Sequence, residues 1–425
     1  MTAIETGTYG DFSLIVHQEG AVTRVPLNGT IEVTNRCPLA CSHCYNNLPM
    51  NDIAARVREL SLAEHKRLLD DLAEQGCLWL LFTGGEIFAR RDFLEIYTYA
   101  KSKGFLITLF TNGTMITERI ADFLAEHPPF IMEITLYGAT RETYEKLTQI
   151  PGSYDLCMRG IDLLLERNLP LKLKTVAVSI NKHEIPMMRQ MAEDRGVSFK
   201  FDAMINPRID CSASPLAVRL TPSEIVALDL DDPVHVSEWK RLAKDHAQPV
   251  YDDPAKKPLY DCGGGISSFA VDPYGELSIC VLSHQDSYNV RDGNFKEGWQ
   301  DYIRGVRSRK ITRPTKCTGC GLKSMCGMCA ANGELENGDA ESPVDFLCEV
   351  AHLRAMTLDI PVRPHGECEY CLGGIGHDRV HEAAEALKSG EADRIAAIPP
   401  PSEDAPAGCG TGGCGSCSTA GVSAF

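Results

Sequence analysis

The chain has no stretch of about 18 consecutive apolar residues, and its first residues, MTAIETGTYGDF, carry neither a positive n-region nor an apolar h-region. Neither a membrane span nor a secretory leader is expected, so the reading is a soluble cytoplasmic protein with no membrane partner. Positive charge is also scarce. Lys and Arg number 42 against 58 Asp and Glu, a formal net charge of −16, which argues against nucleic acid as partner because proteins that bind it neutralise phosphates with clustered basic side chains. The one basic stretch, Arg304 to Lys316, reads as a solvated face rather than a docking site. Disulfides are not needed as a scaffold, because 425 residues, 44% of them hydrophobic, can bury a proper core.

Cysteine is what the chain has in excess. In a reducing compartment, 18 cysteines bunched as CxxC and CxxxCxxC are metal ligands or redox groups rather than disulfides. They form three groups: Cys37, Cys41 and Cys44; a set from Cys262 to Cys348; and a tail set from Cys368 to Cys417. Cys77, Cys157 and Cys211 stand apart and read as inert core or surface residues.

Between residues 30 and 205, short apolar runs alternate with helical patterns. The runs are TIEVT, LWLLFT, FLITLFT, FIMEITLY, LKLKTVAVS and FKFDAMI. Their nearly continuous hydrophobicity predicts parallel strands. Helices are expected over 62–75, where Ser61 and Glu64 form a capping box and Gly76 a stop, and over about 91–103, 117–126, 154–167 and 184–195. Six βα units imply right-handed crossovers; the eight of a closed barrel are not reached, so the expectation is an α/β fold with a partial (β/α)6 barrel.

The site of such a sheet lies at the carboxyl ends of its strands. Three cysteines follow the first strand; Thr83, Gly84, Gly85 and Glu86 the second; Thr111, Asn112 and Gly113 the third; Thr135, Tyr137 and Gly138 lie in and after the fourth. Three thiolates from one loop can hold three irons of a cubane and leave the fourth iron open. A zinc site with His43 as fourth ligand is the competing reading; it leaves Gly84-Gly85-Glu86 unexplained.

Cys37-x3-Cys41-x2-Cys44 followed by Gly84-Gly85-Glu86 resembles the radical S-adenosylmethionine (SAM) superfamily. The resemblance implies a [4Fe-4S] cluster on Cys37, Cys41 and Cys44, with SAM at the open iron. It also implies Gly84, Gly85 and Glu86 at the methionine amino group, His43 beside the adenine, and Asn112, Thr135 and Lys174 as further SAM contacts. Cys262-x12-Gly275-x4-Cys280, then Cys317-x2-Cys320-x5-Cys326-x2-Cys329 and a distant Cys348, resembles the SPASM extension of that superfamily. This implies two auxiliary [4Fe-4S] clusters, the outer on Cys317, Cys320, Cys326 and Cys348 and the inner on Cys262, Cys280 and Cys329. Here the last gap is two residues where three are usual, and the inner cluster lacks a fourth ligand; it keeps an open iron or recruits a residue such as Cys211. Paired zinc knuckles are the alternative for this set.

The expected organisation is an N-terminal hairpin over 1–27, the barrel over 28–205, and a connection over 206–258 in which Thr221-Pro222-Ser223-Glu224 starts a helix. A SPASM region follows over 259–360, then a Cys- and Gly-rich tail over 361–425. In the tail, Cys368 and Cys371 precede a helix over about 377–389, and either join Cys414 and Cys417 in a metal site or leave the terminal CGSC, with Cys409 upstream, as a mobile arm. The resemblance implies an oxidoreductase that cleaves SAM to a 5'-deoxyadenosyl radical and modifies a peptide or protein, with flavodoxin or ferredoxin as reductant. Val281 in the position after Cys280 argues against sulfatase maturation, and His284, Asp286 and Tyr288 are candidate acids or bases. A tetrapyrrole side-chain oxidase of the haem-synthesis type and a non-catalytic iron–sulfur electron-transfer scaffold are the alternatives.

Overall fold

The computed structural model describes residues 8–245, 253–283 and 285–390. Six strands, β1 (Asn28–Thr34), β2 (Trp79–Gly84), β3 (Leu106–Thr111), β4 (Ile131–Thr135), β5 (Leu171–Val176) and β6 (Ser198–Asp202), lie side by side in chain order, and every neighbouring pair is parallel. The strands sit where the apolar runs predict. The sheet does not close: β6 ends it on one side, whereas β1 carries a further strand on the other.

That further strand is β7 (Ser268–Val271), parallel to β1 in the register Asn28↔Ser268 to Ile31↔Val271. Strands β8 (Glu276–Ser278) and β9 (Tyr288–Asn289) continue it antiparallel. The cysteine-rich region therefore extends the barrel sheet itself.

Alternation along the strands separates two faces. Ile31, Val33, Leu80, Phe82, Ile107, Leu109, Met132, Ile134, Leu171 and Leu173 are buried in one core against the helices. The helix Leu62–Glu74 shows the expected Ser61/Glu64 capping box and lays His65, Leu68, Leu69 and Leu72 on this core. Helices Phe93–Ser102, Glu118–Glu126, Ser153–Leu165 and Ile185–Glu193 also match their expected spans. Arg141–Thr148 and Ile53–Arg58 are additional helices.

The N-terminal expectation needs correcting. Residues Tyr9–Thr23 form a helix rather than a hairpin. Thr8 and Asp11 cap it reciprocally, and Gly20 is a packing point rather than a turn: a Cβ there would fall 2.2 Å from a methyl of Leu27.

The Thr221-Pro222 start is observed as the helix Pro222–Leu230. With Pro233–Asp245, Asp345–Thr357 and His377–Lys388 it makes a helical unit, joined by the buried Asp229–Arg354 ion pair at 2.8 Å. Residues 361–390 are thus packed, and Cys409, Cys414 and Cys417 lie outside the described residues. Within the basic stretch, Arg309 pairs with Asp286, Arg313 with Asp339, and Lys316 with Asp345 and Glu369. Among the described residues, no helix is long and apolar enough to cross a membrane.

Beneath the rim, Glu59 takes the Arg36 guanidinium through two hydrogen bonds (2.8 and 3.0 Å), accepts from Thr34 Oγ1 (2.5 Å), and lies 3.7 Å from Arg90. All four side chains are buried. Glu59→Ala leaves the buried Arg36 guanidinium uncompensated, while Arg90 keeps its two-point pair with Asp92 at 2.9 and 3.0 Å, so the expected loss of stability is about 3–5 kcal/mol, read by denaturant unfolding.

Candidate functional site

The loop after β1 is fixed from three directions. Its start, Arg36–Cys37, pairs in parallel with Leu48–Pro49. The helix Arg141–Thr148 receives its middle, through Ala40 N–H to Thr148 O and Ser42 N–H to Leu147 O. Arg208 closes the end by donating to Cys44 O (3.1 Å), Asn47 Oδ1 (2.8 Å) and Asn47 O (3.0 Å). Cys37 and Cys41 are buried and Cys44 half-buried, in one apolar group with Leu39, Leu147 and Tyr137.

Gly84 and Gly85 explain how β2 comes so close. Gly84 has φ +127°, and a Cβ on it would lie 2.2 Å from Thr34 O; on Gly85 a Cβ would lie 2.5 and 2.6 Å from the carbonyl oxygens of Asn35 and Arg36. Gly85 N–H donates to Thr34 O (2.7 Å) and Glu86 N–H to Arg36 O (3.1 Å). The buried Glu86 carboxylate accepts from Thr111 Oγ1 (2.8 and 2.9 Å), Asn112 N–H (2.9 Å) and Phe88 N–H (3.2 Å). Asn112 in turn donates through Nδ2 to Cys37 Sγ at 3.5 Å. The ends of the first three strands are thereby one hydrogen-bonded unit.

This unit is electrostatically unbalanced. Burial pushes up the pKa of Cys37, Cys41 and Cys44, and Glu86 adds to the rise at Cys37; Glu86 itself is raised by burial. Three thiolates and a carboxylate can ionise together there only beside a cation, which an iron–sulfur cluster and a bound ammonium would provide. The three sulfurs are not among the described side chains that converge tightly enough to share a single ion. His43 packs its ring on Tyr137 at 5.6 Å, and burial lowers its pKa to about 4. The donor set fits a cubane rather than zinc.

The concave face of the sheet carries groups that the apolar runs conceal. Lys174 lies 3.2 Å from Glu133, and Lys200 lies 3.0 Å from it on the next strand. Burial lowers the Lys174 pKa to about 7, with Glu133 opposing. Thr135 stands opposite Lys174 in the β4–β5 register. Glu32 of β1 accepts from Tyr45 OH and Asn46 Nδ2, both at 2.8 Å. Glu32, Glu133 and Lys200 each place a charge at an alternate position of an apolar strand, the one local signal that marks them.

Beyond the barrel, Cys317, Cys320, Cys326 and Cys348 line one cavity with Lys316 and Lys323. Lys257 donates to Cys317 O at 2.8 Å. A hydrogen bond shared with Cys348 and the three neighbouring lysines lower the Cys317 pKa to about 7. Cys280 neighbours Cys329 and Cys262, and Tyr45 and Cys211 pack in the same group as Cys280 and Cys329. Cys77 and Cys157 are buried core residues, as expected.

Of the candidate acids and bases, His284 lies outside the described residues. Asp286 holds Arg309 in a two-point ion pair (2.5 and 2.6 Å), and Tyr288, in the outermost strand, donates to Glu297 at 3.1 Å. Glu334 is a further acid in this region: burial raises its pKa to about 7, with Asp286 adding to it.

The sheet thus places three thiols after its first strand, two of them buried and one half-buried, next to Gly-Gly-Glu after its second, in the part of the chain where a fold that binds SAM and a [4Fe-4S] cluster is matched. Residues 31–192 match the model of the Radical SAM superfamily, so this part of the chain is a radical SAM domain. The chain is 26% identical over 340 residues to the AdoMet-dependent heme synthase of Oleidesulfovibrio alaskensis, covering 74% of this chain and 85% of that one. To the PqqA peptide cyclase of Rhodopseudomonas palustris it is 26% identical over 398 residues, 87% of this chain and 93% of the relative. In fold it is similar to Streptococcus suis SuiB bound to precursor peptide SuiA, with TM-score 0.59, 16% identity, and 82% and 83% of the two chains covered.

Asp272 joins β7 to β8 and is buried beside Glu32; burial raises its pKa from 3.8 to about 7. Between those values the folded chain holds a proton that the unfolded chain has lost, so stability falls as pH rises through this window and is unaffected below it. Asp272→Asn should remove that fall, raising stability at pH 8 by about 2–4 kcal/mol and leaving it little changed at pH 3, read by urea unfolding across pH.

Proposed function

We propose that the protein oxidatively modifies a peptide or protein substrate. The resident groups supply the chemistry when bound: reduced cluster cleaves SAM to methionine and a 5'-deoxyadenosyl radical, which takes a hydrogen atom from the substrate. Cys37, Cys41 and Cys44 hold that cluster. Asn112 orients the first thiolate, and Glu86, with Gly84 and Gly85, fixes the wall where the methionine amino group docks. His43, neutral and packed on Tyr137, flanks the adenine; Thr135 and Lys174 face the concave side toward SAM.

The auxiliary part completes the reading. Cys317, Cys320, Cys326 and Cys348 hold an outer [4Fe-4S] cluster, and Lys257, Lys316 and Lys323 offset its negative charge. Cys262, Cys280 and Cys329 hold an inner one. Such clusters supply an exit for the second electron of an oxidation. Tyr45 supports this placement, since it directly follows Cys44 and packs with Cys280 and Cys329, so the inner cluster and the SAM site face one space. Flavodoxin or ferredoxin serves as reductant.

The observation that carries a peptide substrate is the charge of the concave face. Glu32 and Glu133 are buried there, and the two facing lysines are both engaged by Glu133 and so are not free to take a propionate. A porphyrin rich in propionates would meet repulsion, whereas a peptide can bring amide and hydroxyl donors to these carboxylates. The tetrapyrrole reading is favoured by the 26% identity to a heme synthase.

Anaerobic reconstitution should give about three [4Fe-4S] clusters per chain. Replacing Cys37, Cys41 and Cys44 together by Ala should remove about a third of the iron and abolish 5'-deoxyadenosine formation. Mass spectrometry of a co-expressed peptide should find a loss of two hydrogens; decarboxylation of iron-coproporphyrin with no peptide modified would assign the second reading. Intact SAM after incubation with reductant would defeat both.

A further inference from the structure

Four side chains outside the sites described so far converge at the junction of the helical unit and the tail. His352 comes from the helix Asp345–Thr357, His365 from the loop after it, and Cys368 and Cys371 from the Cys-Glu-Tyr-Cys turn. One nitrogen of each imidazole and both Sγ atoms lie within 4.8 Å of one another. His352 Nε2 is 3.5 Å from Cys368 Sγ and 3.6 Å from Cys371 Sγ, and His365 Nδ1, which also lies 2.9 Å from Arg363 O and must turn from it to bind an ion, is 3.4 Å from Cys371 Sγ. A tetrahedral ion with bonds of about 2.0–2.3 Å separates its N and S ligands by about 3.5 Å, so these spacings are those of one shared ion.

The surroundings prepare the same shell. His352 is buried, and its Nδ1–H donates to the Cys348 carbonyl at 2.7 Å; this fixes the tautomer and turns the Nε2 lone pair toward the two sulfurs. Cys368 and Cys371 are free thiols, buried among Val226, Leu353, Tyr370 and Val380, where nothing apolar could compensate two thiolates. The turn folds around its sulfurs: Gly374 N–H donates to Cys371 O at 2.8 Å, and a Cβ on Gly374 would fall 2.3 Å from Glu369 O and 2.6 Å from Cys368 O.

We propose that His352, His365, Cys368 and Cys371 form a closed zinc site. Two thiolates and two imidazoles at tetrahedral spacing suit Zn2+, and four protein ligands leave no position for a substrate, so the ion is structural. Two features give it a task. His352 hangs by its Nδ1–H from the carbonyl of Cys348, and both His352 and His365 line the cavity of Cys317, Cys320, Cys326 and Cys348. The zinc ion clamps residues 361–376 onto the helix that carries Cys348 and so fixes one wall of that cavity. Cys414 and Cys417 are not required by this shell.

The test is metal analysis of the full chain isolated anaerobically. About one zinc ion per chain is expected, with an X-ray absorption spectrum showing two sulfurs near about 2.3 Å and two nitrogens near about 2.0 Å. Replacing Cys368 and Cys371 together by Ser should reduce zinc to below about a tenth of an ion, whereas replacing Cys414 and Cys417 by Ser should leave it unchanged. The wild-type spectrum decides even where the first variant fails to fold. Absence of zinc from the wild type, a shell of four sulfurs, iron in its place, a Cys368–Cys371 disulfide in the anaerobic chain, or zinc lost only with Cys414 and Cys417 would each overturn the proposal.

Discussion

The backbone of Gly84 and Gly85 lies directly on the carbonyls of Thr34, Asn35 and Arg36, and the rest of the site depends on that approach. No side chain fits between the two segments, so at this point main chain rests directly on main chain. From there the order spreads by hydrogen bonds: Gly85 and Glu86 donate to the loop, Glu86 gathers Thr111 and Asn112, and Asn112 reaches Cys37. Because each link is buried, a displacement at one is felt at all. The Arg36–Glu59–Arg90 group stands underneath as a second fastening.

The same sheet has two chemically different faces. Toward the helices it is uniformly apolar and ordinary in its packing. Toward the concave side it carries carboxylates and lysines that balance one another in part, with pKa values moved by burial. Such a face suits a polar guest that supplies what the protein lacks, and Tyr45, which packs against Leu282, Ala331 and Leu335 as Cys280, Cys329 and Cys211 do, ties the first cysteine loop to the second cysteine region.

Much of this was legible in the chain. Apolar runs, the Ser61/Glu64 box and the Thr221-Pro222 start gave the six strands and most helices, because each is a local signal. The cysteine loop and Gly-Gly-Glu were legible as a pair since strand order alone brings them together. What escaped depends on distant partners. Gly20 looks like a turn until Leu27 is seen against it; SFAV is a short strand whose place beside β1 nothing local specifies; His352 looks like one polar residue in a buried helix until Cys368 and Cys371 arrive beneath it. The charges of the concave face were hidden for another reason, since a single Glu or Lys in an apolar run does not disturb the run as a strand signal.

The seating of β7 beside β1 also sets an order of events during synthesis. Asn28 finds β2 early but has no neighbour on its other side until Ser268 has been made. A nascent barrel thus leaves the ribosome with an unprotected strand edge, open to wrong partners, for most of translation. Closure by Ser268–Val271 is the step that seals that edge, and iron delivered before it would meet thiols in a half-built wall.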